Sequence, residues 1–113
     1  MNIKQLSPDY SVSAQIQPRD IAELKAAGFK SVICNRPDHE DPGQPSLADI
    51  SAAAQAAGLE FRHVPVISGQ MTAQNVEDQA RALEELPKPV FAYCRSGTRS
   101  SNLYSYIQEM NRG

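Results

Sequence analysis

Three short strand-like runs separated by helical patterns constrain this chain more than any other feature. They are Ser31-Val-Ile-Cys34, Leu59 to Val66, and Val90 to Tyr93. Ser31 to Cys34 is bounded by turn formers, the mark of a buried parallel strand; Leu59 to Val66 reads as another strand with Pro65 near its end, and Val90 to Tyr93 as the third. Between and after them lie segments of helical period. Pro18 suits a first helical position, Ile21, Leu24, Lys25 and Phe29 follow, and Gly28 supplies a C-terminal cap. Ser46 to Ala57 is alanine-rich and ends at Gly58, whereas Thr72 caps a pattern through Val76, Ala80, Leu83 and Leu86 that Pro87 stops. From Thr98 to Met110, Leu103, Ile107 and Met110 share one face. Strand–helix alternation of this kind predicts an α/β fold: a central, mostly parallel sheet with helices on both faces, in three layers α/β/α. Lys4-Gln-Leu6 and Tyr10 to Ala14, split by the turn Ser7-Pro-Asp9, add an edge hairpin.

The 113 residues, read as the single domain 1–113, are 41% hydrophobic and 21% charged, the balance of an ordinary globular protein. A formal net charge of −2, with scattered Lys and Arg, offers no footprint for nucleic acid or for an anionic membrane. The opening MNIKQLSPDY has no signal-peptide apolar region, so a cytoplasmic location is expected. Cys34 and Cys94 are read as free thiols rather than a disulfide framework. With only His39 and His63 and no paired ligand spacing, neither a metal nor another cofactor is expected.

In parallel sheets ligands bind beyond the carboxyl ends of the strands, so the loops at 35–45, 67–71 and 94–99 should converge. The first, Asn35 to Pro45, carries three prolines and three carboxylates, and no hydrophobic pattern asks for such a loop. The last reads Cys94-Arg-Ser-Gly-Thr-Arg-Ser100. A tight loop entering a helix turns its backbone N–H groups inward as an anion nest, and Gly97 permits the backbone this needs. The helix dipole and Arg99 both favour a thiolate at Cys94. Cys94 is therefore the expected nucleophile, the loop of Arg95, Ser96, Gly97, Thr98 and Ser100 the oxyanion cradle, and Arg99 the clamp.

Strand, C-x-x-G-x-R-S, helix resembles the active loop of rhodanese sulfurtransferases. Over nearly its whole length the chain resembles the beta-lactamase-hydrolase-like, dual-specificity-phosphatase-like family of bacteria, whose members are called phosphatases or sulfur transferases. The matching pieces are "LSPDYSVSAQI", "LKAAGFKSVICNRPDHEDPGQPS", "AAAQAAGLEFRHVPV" and "FAYCRSGTRSSNLY". The resemblance implies a phosphatase-like fold, and a fusion or operon partner in sulfur metabolism.

Cysteine-dependent phosphatases use H-C-x-x-G-x-x-R. Here Tyr93 replaces the histidine and Arg99 stands five places after Cys94, one residue tighter. Where those enzymes carry an acid after the strand, this chain has Ile67-Ser-Gly-Gln. Both departures favour a cysteine-dependent sulfurtransferase with persulfide chemistry on a sulfane-sulfur donor. The alternatives are a phosphatase acting on phosphate monoesters through a phosphocysteine, and a non-catalytic anion-binding module. Accessory roles stay open. Asp38, Glu40 or Asp41 would replace the missing acid if they reach the site, or else form a solvated loop that caps a helix. Arg36 is either a second anion contact or a salt-bridge partner of that loop. Cys34 is a small core residue unless it neighbours Cys94, in which case it could resolve an oxidised cysteine. Arg95 either points away or assists substrate entry, Ser68 could help bind an anion, and His63 reads as structural. Ser100's hydroxyl is expected on the thiolate or the loop backbone.

Overall fold

A computed structural model describes residues 1–112, and Gly113 lies outside the described residues. Its strands are β1 (Lys4–Ser7), β2 (Tyr10–Ser13), β3 (Ser31–Cys34), β4 (Glu60–His63) and β5 (Val90–Tyr93). The helices are α1 (Asp20–Ala26), α2 (Leu47–Ala56), α3 (Ala73–Glu85) and α4 (Thr98–Arg112). One sheet has the order β1-β2-β5-β3-β4, with β1 antiparallel to β2 and the remaining pairs parallel. The central strand is thus β5, which ends in Tyr93 and delivers Cys94.

Period-two alternation divides the buried residues between two layers. Val32, Cys34, Phe91 and Tyr93 pack with Leu24 of α1 and with Ile50 and Ala54 of α2. Ile33, Val90 and Ala92 face the other way, onto Ala82 of α3, and Leu103 and Ile107 of α4 continue that layer with Val76. This is the expected three-layer arrangement, and it sets all three loops at one edge.

Two boundaries differ from the sequence reading. Helix α1 starts at Asp20, because Pro18 and Arg19 form a turn in which Asp20 N–H donates to Gln17 O. The strand expected over Leu59–Val66 is regular only from Glu60 to His63. Beyond it Val64 and Val66 still donate to Cys34 O and Asn35 O, while Pro65 has no N–H to give. Thr72 does cap α3, reciprocally with Asn75 as a capping box.

Candidate active site

Cys94 is fully buried at the end of β5, and α4 begins four residues later. Gly97 N–H donates to Cys94 Sγ at 3.0 Å, so the turn folds a backbone amide onto the sulfur. The turn can do this because Gly97 holds φ of 91°. A side chain there would also meet the carbonyl carbon of Ser13 at 3.3 Å, since the loop lies against the end of β2. Ser96 Oγ donates to Thr98 Oγ1 at 3.0 Å and accepts from Thr98 N–H at 3.4 Å, closing the loop mouth.

Arg99 stands in the first turn of α4 and is 8% exposed. Its Nη1 donates to Glu40 Oε2 and to Val66 O, each at 2.8 Å, and its Nη2 donates to Glu40 Oε1 at 2.8 Å. The Nε–H and the second Nη2–H are not used in these bonds. They form the other edge of the planar fork, able to grip two oxygens of an anion. Hydrogen bonding to Arg99 holds the Glu40 carboxyl below its ordinary value, against a smaller opposing effect of burial. The same bond pushes the Arg99 guanidinium up, and Cys94 acts in the same direction.

Glu40 is held from behind by Arg36, whose Nε donates to Glu40 Oε1 at 3.0 Å. Arg36 is 2% exposed and spends Nη1 on Gln15 Oε1 and Nη2 on Asp41 Oδ2, at 3.0 and 2.7 Å. It is the salt-bridge partner of the acidic loop. Asp41 Oδ2 also lies 3.3 Å from Arg95 Nε. Asp38 accepts from Leu47 N–H at 3.0 Å, at the start of α2, and so takes the capping role. Of the three loop acids, Glu40 therefore reaches Arg99, Asp41 reaches Arg95 and Asp38 stays at a helix end. His63 Nε2 meets Arg36 O at 2.8 Å, the structural role expected of it.

Ser100 differs from its expected role: its hydroxyl donates to Asn35 Oδ1 at 2.8 Å rather than to the thiol or the loop backbone. Asn35 Nδ2 donates to Val64 O and Gln79 Oε1, at 3.0 and 2.9 Å. Gln79 Nε2 donates to Tyr10 OH at 3.0 Å, and Tyr10 OH donates to Ser100 O at 2.9 Å. This closed, buried circuit ties α4's first turn to β2, β3 and α3. Burial also pushes the Tyr10 phenol up. Sequence reasoning missed Asn35, Gln79 and Tyr10 as supports. A glutamine on the buried side of an amphipathic helix was the available signal.

Cys34 ends β3 in register with Tyr93, the residue before Cys94. Its Sγ is 3.4 Å from Arg36 O, and burial is the main cause of its raised thiol pKa. It packs on the α1–α2 side with Tyr93, in the layer opposite Ala92. Beside the turn opens a cavity of about 620 Å³, lined by Val66, Ile67, Ser68, Gly69, Met71, Arg95, Ser96, Thr98, Arg99, Asn102 and Tyr106. The loops at 67–71 and 94–99 meet there as expected. The 35–45 loop closes on Arg99 through Glu40. Among the described residues no helix is long and apolar enough to cross a membrane.

Residues 2–111 match the family described as beta-lactamase hydrolase-like protein, phosphatase-like domain. A beta-lactamase hydrolase-like protein of Agrobacterium fabrum is 36% identical over 104 residues, covering 92% of this chain and 24% of that protein. The chain thus spans about a quarter of the length of the curated relatives it matches. A structure of a phosphatase candidate from Neisseria meningitidis superposes with a TM-score of 0.89 at 35% identity, covering 96% of this chain and 77% of that one. The core catalytic domain of a PP-IP phosphatase from S. cerevisiae, solved with citrate, gives a TM-score of 0.76 at 14% identity. That match covers all of this chain and 68% of the yeast one, and it speaks to the fold alone.

Proposed function

The chain belongs to the beta-lactamase hydrolase-like, phosphatase-like domain family, and from that premise we propose that it is a cysteine-dependent phosphatase. The observation that carries this is the turn itself. A backbone amide lies 3.0 Å from Cys94 Sγ, and a guanidinium held on one edge keeps the other for an oxyanion. In this reading Cys94 attacks phosphorus, amides of residues 95–100 receive the equatorial oxygens, and Arg99 grips two of them as charge builds. Residues 1–113 act as the catalytic unit, and the substrate is a small phosphorylated molecule. The yeast neighbour was solved with citrate, a small polyanion, which agrees with anion binding by this fold.

The order of the two chemistries is therefore the reverse of the one the motif spacing suggested. The tight spacing from Cys94 to Arg99 still favours sulfur transfer as a second reading, because it makes a smaller nest. One pair of assays separates them. With p-nitrophenyl phosphate, the phosphatase shows turnover that Cys94→Ser abolishes, and a phosphocysteine on intact mass after acid quench. With thiosulfate, a sulfurtransferase gains one sulfur on Cys94. A persulfide without phosphate turnover would sink the phosphatase reading. Anion-induced stabilisation without either turnover would leave only a binding module.

A further inference from the structure

A phosphatase needs something to neutralise the departing oxygen, and the surroundings of Cys94 dictate which leaving groups qualify. Among the described residues, the lining of the 620 Å³ cavity contains no Asp, Glu or His. The carboxylates that come near are committed elsewhere. Glu40 accepts from Arg99 and Arg36 with both oxygens, and its pKa is lowered, so it holds no proton to give. Asp41 sits between Arg36 and Arg95. Asp38 accepts the α2 amide. Glu77 and Glu109 line a separate groove beyond Met71 and Tyr106. The cavity offers charge and hydrogen-bond donors instead: Arg95, whose side chain is 70% exposed at the mouth, with Asn102 and Ser68 on the walls. Apart from the exposed phenol of Tyr106, the lining presents no proton donor suited to an alkoxide, so the site stabilises an oxyanion chiefly by charge.

Resting on the phosphatase reading, we propose that this site takes activated phosphates, whose leaving group departs as an anion: a phosphoanhydride, or an acyl or aryl phosphate, and not an alkyl monoester. In the first step the Cys94 sulfur–phosphorus bond forms while the phosphorus–oxygen bond breaks. The electron pair stays on the departing phosphate, carboxylate or phenolate, and no proton moves. In the second step water attacks phosphorus and loses a proton to solvent. The sulfur–phosphorus bond then breaks, which releases inorganic phosphate and restores the thiolate. Arg95 stands where the departing anion emerges.

The test is a leaving-group series on the full chain. It comprises aryl phosphates of graded phenol acidity, acetyl phosphate, inorganic pyrophosphate, and phosphoserine and glycerol phosphate as alkyl esters. The logarithm of kcat/KM should fall steeply with leaving-group pKa. Alkyl esters should trail the activated substrates by at least the roughly 100- to 10,000-fold that a general acid supplies. The acetyl phosphate and pyrophosphate arms tell acyl from anhydride chemistry. Glu77→Gln and Glu109→Gln, in the separate groove, should leave the slope unchanged. The inference is overturned by alkyl esters within tenfold of aryl ones, or by a slope that steepens in either variant. Turnover of every substrate class at similar rates refutes the inference and leaves the phosphatase reading standing. No phosphate turnover and no phosphocysteine refutes both.

Discussion

Replacing Glu40 with glutamine removes the one carboxylate that two buried guanidinium groups share. Its oxygens accept from Arg99 Nη1 and Nη2, both at 2.8 Å, and from Arg36 Nε at 3.0 Å. The Arg99 and Arg36 side chains are 10% and 3% exposed, so water cannot replace what is lost. Glutamine keeps one acceptor and turns an NH2 toward a guanidinium donor. Breaking a buried pair costs about 3–5 kcal/mol, and because Glu40's side chain is 20% exposed, solvent screening discounts this to about 2–3 kcal/mol. For a chain of this size that lowers Tm by roughly 8–12 °C at pH 7. The effect should also carry a pH signature. Glu40's folded-state pKa lies below its unfolded value, so between the two the unfolded chain binds more protons and stability rises with pH. The contribution is complete above the ordinary carboxyl value of 4.5 and is lost as pH falls through the lowered folded value. Thermal unfolding of wild type and Glu40→Gln from pH 7 to pH 3 should therefore show two curves that converge on the acid side. The activity of the variant should suffer in KM for phosphate substrates, because Arg99 loses the brace that sets its free edge. A gap in Tm that stays constant across that pH range would refute the reasoning, as would equal stability at pH 7.

Two further substitutions test the supports of the turn. Gly97→Ala places a Cβ 3.3 Å from the Ser13 carbonyl carbon at a φ of 91°, a strain of about 1–3 kcal/mol. The variant should fold yet lose the stabilisation by vanadate or phosphate that wild type shows in a thermal-shift titration. Gln79→Leu leaves Tyr10 and Asn35 short of a partner in the buried circuit and should cost about 2–3 kcal/mol. Urea unfolding should show a lower midpoint with unchanged slope; an unaltered midpoint would mean that the circuit contributes nothing.

The architecture and the turn around Cys94 were legible in the sequence because both depend on short-range patterns. Short strand-like runs between helical periods dictate a parallel sheet, and a parallel sheet dictates that the loops share an edge. The same holds for the turn: Gly97 between Cys94 and Arg99 implies an inward-facing nest before any coordinates are known. The boundaries that shifted did so for local reasons too, at Pro18 and Pro65, where a missing N–H alters the hydrogen-bond pattern.

What only the tertiary structure decided is where the long-range charges and amides go. Nothing in Asn35 to Pro45 says that Glu40, rather than Asp38 or Asp41, meets Arg99 fifty-nine residues away. Nor does the sequence show that Arg36 is used up in holding that loop, or that Ser100 turns to Asn35 and away from the sulfur. These pairings follow from how α4, β3 and the acidic loop stack at one sheet edge, since a buried charge or amide takes whichever partner packing brings within reach. Motif spacing alone weighted sulfur transfer over phosphate chemistry. It registers the distance along the chain from Cys94 to Arg99, whereas chemistry depends on which edge of the guanidinium packing leaves uncovered.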